Sequence, residues 1–212
     1  MLDHLVYATP DLDATVTELA ERLCTRPVPG GSHPGLGTRN HLVNVGDGAY
    51  LEIVGPDPDQ DEPPAARPFG IDDLTGARLV TWCARADRPL EDAIAASRRA
   101  GHDPGEPIEM SRMRPDGVRL SWRLTPPQLV GPTRGIVPFL IDWGSSPHPT
   151  STLPHHVSLV QLRLETPDPE GLLVILAALD VLGGTHGIEV VEGSRPTASC
   201  LIRTADGVLG IS

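Results

Sequence analysis

A repeat constrains this chain more than any other feature. The segments "LVYATPDLDA" and "LRLETPDPEG" align at Thr9-Pro10-Asp11 and Thr166-Pro167-Asp168, and "DGAYLEI" later matches "DGVLGI" with a one-residue gap. A strand-helix-strands unit that recurs must bury its apolar face against other copies of itself.

In "LDHLVYAT" the alternation places Leu2, His4, Val6 and Ala8 on one face and Leu5 and Tyr7 on the other, so the strand is covered on both sides. Asp11 can cap a helix whose Leu12, Val16, Leu19, Ala20 and Leu23 form one stripe that packs on a sheet. The turn-rich "GGSHPGLGTRN" follows, then "NHLVNV" and "AYLEIV" joined by "GDG", a hairpin signal. The acidic "GPDPDQDEPPAARP" reads as an exposed linker.

The pattern then repeats. "ARLVTWCARA" is a strand, Pro89 can start a helix bearing Leu90, Ala93, Ile94 and Ser97, and "VRLSWRLT" and "GIVPFLIDWG" are later strands, with "GHDPGEPIEMSRMRPDG" as loop. After "GSSPHPTSTLPHH" come a strand ending in "LETPD", a helix around "LLVILAALDVL" ended by Gly183 and Gly184, and the strands "IEVVEG", "ASCLIRT" and "GVLGIS". The organisation expected is a first βαβββ unit at 1–56, an acidic proline-rich linker at 57–76, a second unit at 77–144, a linker at 145–156 and a third unit at 157–212.

All 17 basic residues are arginine, and the net charge is −11. Without lysine, Schiff-base catalysis and a phosphate-loop lysine are excluded. Phosphate backbones need a basic footprint, so nucleic acid is not the expected partner. No apolar run is long enough for a membrane span. A small-molecule ligand and, at most, a second copy of the chain remain. The amino terminus lacks a basic region ahead of an apolar run, so no secretory signal is read there. Cys24, Cys83 and Cys200 are odd in number and far apart, which suits reduced, buried thiols in the cytoplasm.

His4 and Glu52 carry the chemistry. Leu51 and Ile53 would face the helix and turn Glu52 the other way, so on neighbouring strands Glu52 and His4 meet on the face opposite the helix. A carboxylate buried there must be paired, hydrogen-bonded or metal-bound. The two residues therefore read either as a divalent metal site or as a metal-free hydrogen-bonded pair. His33 is the supplementary ligand candidate or a loop histidine facing water. His41 should point away from Asn40, its polar edge satisfied by backbone, and His148, His155 and His156 belong to a solvated connector. Within "GLGTRN", Gly37 allows close backbone approach, Thr38 and Asn40 can orient a substrate by hydrogen bonds, and Arg39 can clamp an anion or face solvent. In "FLIDWG", Asp142 reads as ligand, general base or edge-strand acid, and Trp143 as pocket wall or core indole.

A strand opening "DHLVY", a helix introduced by "PDLDA", a late strand "YLEIVGP" and the duplicated unit resemble the vicinal oxygen chelate superfamily of glyoxalases and extradiol dioxygenases. More narrowly, "GGSHPGLGTRNHL" before "YLEI", then "PFLIDWG" with "HP" after it, resemble the glyoxalase-like family within that superfamily. The resemblance covers most of the chain. It implies an α+β fold of repeated βαβββ units, forming a curled mixed sheet around a cavity with helices on the outer face. It also implies a metal (Zn, Fe, Mn or Ni) held by a His of an opening strand and a Glu of a closing strand, and His4 and Glu52 match that pair. The second pair does not carry over: Thr81 or Trp82 stands at the position of His4 in the middle unit with Asp142 near that of Glu52, and the third unit offers Gln161 and Gly210.

The functions implied are a metal-assisted lyase, isomerase or dioxygenase acting on a small oxygenated substrate, with Glu52 and Asp142 as catalytic acids. The alternative is a metal-free binding protein of the same fold, of the drug-resistance type, which the negative charge also suits.

Overall fold

Both Thr-Pro-Asp triplets fold into the same strand-to-helix turn. In the computed structural model, which describes residues 1–85, 87–114, 116–184 and 187–212, β1 (Leu2–Ala8) leads into α1 (Leu12–Arg22), and β9 (Ser158–Thr166) leads into α3 (Pro169–Ala178). The Asp11 carboxylate accepts from the Ala14 amide at 3.0 Å, and the Thr9 hydroxyl accepts from the Asp11 amide at 3.1 Å. Asp168 and Thr166 repeat this with the amides of Gly171 and Asp168, at 2.9 and 3.2 Å. Each aspartate thereby satisfies an orphan amide of its helix.

Between these points run β2 (Val28–His33), β3 (Thr38–Gly46), β4 (Ala49–Pro56), β5 (Arg78–Arg85), α2 (Leu90–Arg99), β6 (Ile108–Met113), β7 (Arg119–Leu124) and β8 (Phe139–Asp142). The eight strands close a barrel in the order β1-β4-β3-β2-β6-β7-β8-β5. β1 pairs parallel to β4 and antiparallel to β5, so it lies at the junction of the two half-barrels. Glu52 belongs to the strand beside His4, as the alternation requires. The barrel closes opposite β1, where β2 meets β6, among the described residues, through one residue pair, Ser32 with Met113. Gly31 makes that approach possible: its φ is 134°, and a side chain there would collide with the Met113 carbonyl.

Two apolar layers hold the molecule. One fills the barrel around Val6, Leu42, Tyr50, Trp122 and Phe139; the other lies between the outer sheet face and the helices and is built on Leu5, Leu19, Leu51, Ile53, Trp82 and Leu162. The third unit adds β10 (Gly187–Glu192), β11 (Thr197–Thr204) and β12 (Gly207–Ile211) to β9, in the order β10-β9-β11-β12.

Several local expectations change. "GGSHPGLGTRN" is the turn of a hairpin with strand on both flanks, and the presumed loop "GHDPGEPIEMSRMRPDG" contains β6. Polar residues at alternate β6 positions hide the strand from a hydrophobic-pattern reading. The acidic segment after β4 is exposed at Asp59, Asp61 and Glu62, but buries Ile71 and turns Pro68 and Phe69 over the barrel mouth. α3 ends at Ala178 because Asp180 takes a left-handed conformation, φ 56°. Cys24 is exposed, whereas Cys83 and Cys200 are buried. No helix among the described residues is long and apolar enough to cross a membrane.

Candidate functional site

Inward-facing positions of the barrel strands enclose a cavity of about 190 Å³. Its walls differ. The first half-barrel contributes His4, His33, Asn40, Tyr50 and Glu52; the second contributes Met110, Trp122, Leu124, Phe139 and Ile141, with Arg112 the charged exception.

Glu52 lies between two imidazoles. His4 Nε2 is 3.8 Å from Glu52 Oε2, and His33 Nε2 is 3.9 Å from Oε1. The hydrogen bonds assign the protons. Asp3 Oδ2 faces the donor-only Trp143 Nε1 at 3.0 Å, His148 Nε2 at 3.2 Å and Arg85 Nη1 at 3.4 Å, while its Oδ1 lies 2.7 Å from His4 Nδ1. Burial alone would raise the Asp3 pKa, but hydrogen bonds from His148 and His4 hold it well below the usual carboxylate range. Asp3 is therefore an acceptor, His4 carries a proton on Nδ1, and its Nε2 faces Glu52. Tyr50 stacks on the His4 ring at 4.7 Å and Phe139 meets its edge at 5.4 Å, which fixes the orientation.

Asn40 orders the other side. Its Oδ1 accepts from Arg112 Nη1 at 3.1 Å, leaving Nδ2 to donate to Glu52 Oε1 at 2.6 Å and to His33 Nε2 at 3.3 Å. His33 Nδ1 then donates to Thr38 Oγ1 at 3.0 Å. Burial lowers the His33 pKa against the opposing effect of Glu52, so the ring is neutral. Gly30 lies against the Asn40–Arg112 contact, and a side chain there would strike both polar atoms.

The result is a carboxylate with one imidazole nitrogen facing each of its two oxygens. Such a set suits a divalent cation, and two histidines with one carboxylate leave coordination positions open. A second grouping, Asp3, His4 and Cys83, brings ligand atoms within 4.8 Å of one another. It fits less well: Asp3 is already engaged by Trp143, His148, Arg85 and His4, and burial raises the Cys83 thiol well above its ordinary pKa.

The other sequence candidates separate by strand parity. Thr38 and Asn40 face inward, while Arg39 faces outward and pairs with Asp13 at 2.9 Å and Asp59 at 3.8 Å. Gly37 lies at the rim, its carbonyl accepting from the Asp57 amide at 2.9 Å and from Arg67 Nε at 3.1 Å. Trp143 borders the cavity and holds Asp3, but Asp142 lies on the outer face, bound to Arg123 at 3.1 Å and to the Gly144 amide at 2.9 Å. The Gly144 amide and Arg123 together lower its pKa despite partial burial. His41 also faces outward, with Nδ1 buried and unpaired among the described residues, not backbone-satisfied as expected.

Sequence reasoning missed Asp3, Arg112 and His148. A bulge between Leu2 and His4 against β5 removes Asp3 from the simple alternation. Arg112 sat in a presumed loop. His148, expected to be solvated, is half-buried against Asp3; its signal was the "HP" shortly after "DWG".

No curated protein matches the chain. A hypothetical protein from Staphylococcus aureus has a similar fold, with 13% identity, TM-score 0.65, and coverage of 92% of this chain and 87% of that one. A methylmalonyl-CoA epimerase from Mycobacterium tuberculosis is 18% identical over 71% of this chain and 91% of that one, at TM-score 0.42. The model of the glyoxalase-like domain matches residues 2–179, which includes the whole barrel and its cavity. With that match and the repeated βαβββ architecture, the chain belongs to the glyoxalase-like domain family of the vicinal oxygen chelate superfamily.

Proposed function

We propose that the barrel cavity is the active site of a metal-assisted enzyme acting on a small oxygenated substrate. The observation that carries this reading is the placing of His4 Nε2 and His33 Nε2 against the two Glu52 oxygens, with the histidines held from behind by Asp3 and Thr38 and Asn40 bonded to both Glu52 Oε1 and His33 Nε2. A divalent Zn, Fe, Mn or Ni held by these residues would supply Lewis-acid polarisation of a substrate carbonyl or enediolate.

The chain's own groups do the rest. Asp3 holds the proton of His4 on Nδ1 and fixes the ring orientation. Glu52 is the sole acid among the cavity-lining residues, so it handles the proton, with Oε2 toward His4 and Oε1 directed by Asn40. Asp142 takes no part, because it faces away. Phe69 and the apolar wall exclude water from the reacting atoms. Three unpaired thiols suit a cytoplasmic setting.

The test is metal analysis of protein purified without chelator, followed by titration with each of the four metals. Stoichiometric binding in wild type, lost in His4→Ala and Glu52→Ala and weakened in His33→Ala, supports the proposal. If wild type holds no more metal than these variants, the metal-assisted reading fails. The apolar wall then favours the second reading, a metal-free small-molecule binder.

A further inference from the structure

The cavity contains a cation that no carboxylate meets. Arg112 is 3% exposed and is the one buried arginine among the described residues. Among those residues its side chain makes a single hydrogen bond, to Asn40, with no carboxylate oxygen within the 4.0 Å of an ion pair. Arg67, Arg85, Arg98 and Arg123, by contrast, all pair with acids.

Taking a guanidinium out of water without an ion partner is expensive. Glu52 offsets part of this through space, with Asn40 hydrogen-bonded to both groups between them. Arg112 shares the cavity lining with Met110, Trp122 and Leu124, which accept no hydrogen bonds from it, and also borders a second pocket beside Arg114 and Asp116. The remaining donors of the planar fork match the two oxygens of a carboxylate.

We propose that Arg112 binds the anionic end of the substrate, which makes the substrate class a small monocarboxylate. Its apolar body lies on Trp122, Phe139 and Ile141, and its reacting oxygen-bearing carbon points toward His4 and Glu52. The inference rests on the reading that this cavity is the substrate site. Glu52 already places one negative charge in the cavity, so each further charge adds repulsion, and a monoanionic carboxylate fits better than a phosphate dianion.

The experiment uses full-length, chelator-treated protein titrated with benzoate, benzamide and phenyl phosphate, followed by calorimetry and by the fluorescence of Trp122 and Trp143. Benzoate should bind at least ~10-fold tighter than its neutral isostere benzamide and tighter than phenyl phosphate, as expected for a buried charge-assisted pair. Arg112→Gln should erase the preference, and Arg112→Lys should keep part of it. Equal binding of benzoate and benzamide, a preference that survives in Arg112→Gln, tighter phenyl phosphate binding, or no binding of any of the three overturns the proposal.

The wild-type comparison needs no variant to fold. A failed metal titration leaves this result standing, and stoichiometric metal with no benzoate preference removes only the carboxylate.

Discussion

The first and third units share a motif and differ in what they build from it. In both, Thr-Pro-Asp caps a helix and a two-residue turn closes a hairpin, at Asp47-Gly48 in the first and at Ala205-Asp206, just before Gly207, in the third. Yet β4, the closing strand of the first unit, pairs directly with β1, whereas β12 is separated from β9 by β11, and β10 takes the parallel place beside β9. Local motifs specify turns and caps; strand neighbours come from what each sheet packs against. The difference has a chemical result. His4 and Glu52 meet because their strands are adjacent, and Gln161 has no such partner strand. Its face carries Arg163 in exposed ion pairs with Glu165 and Glu189.

The sharpest way to break this comparison is through metal. Glu52→Ala and His4→Ala should lose stoichiometric metal, while Gln161→Ala keeps it in full, measured by elemental analysis after gel filtration. Loss in Gln161→Ala would mean that the third unit holds a site of its own. Asp3→Asn leaves the ligands in place but weakens their orientation, and should lower metal affinity about 10–100-fold in a competition titration.

Next come the shared core positions. Leu5 and Leu162 are both fully buried, so Leu5→Ala and Leu162→Ala should each cost about 2–5 kcal/mol in urea denaturation. A single transition in both variants would show that barrel and added sheet unfold together. The caps are a smaller matter: Asp11→Ala and Asp168→Ala should each cost about 1 kcal/mol, and by similar amounts, because their hydrogen bonds are alike. A large disparity would end the claim that the turns are equivalent. Gln161→Ala should change stability by no more than about 0.5 kcal/mol.

Legibility in the sequence followed the same division. The caps, the hairpins and the inward turn of Glu52 follow from spacing, because alternation and capping act over a few residues. What the spacing did not show depends on partners distant along the chain. Asp142 and Trp143 are neighbours in sequence, but parity sends one to solvent and the other to Asp3. Arg112 is buried where β6 crosses the seam to meet β2, and Phe69 is partly buried because an acidic connector folds back over the mouth. The third unit's different strand order is invisible in a motif that it shares with the first.

The seam itself bears on motion. With Ser32 and Met113 as the sole cross-strand pair between β2 and β6 among the described residues, the amides there lack the ladder that protects the rest of the barrel. They should be the first barrel amides to exchange with deuterium. His33 and Arg112 flank that pair, so the same brief parting that admits solvent also widens the cavity between a proposed metal ligand and the proposed carboxylate anchor. Opening along this line would part the two groups proposed to grip the ligand.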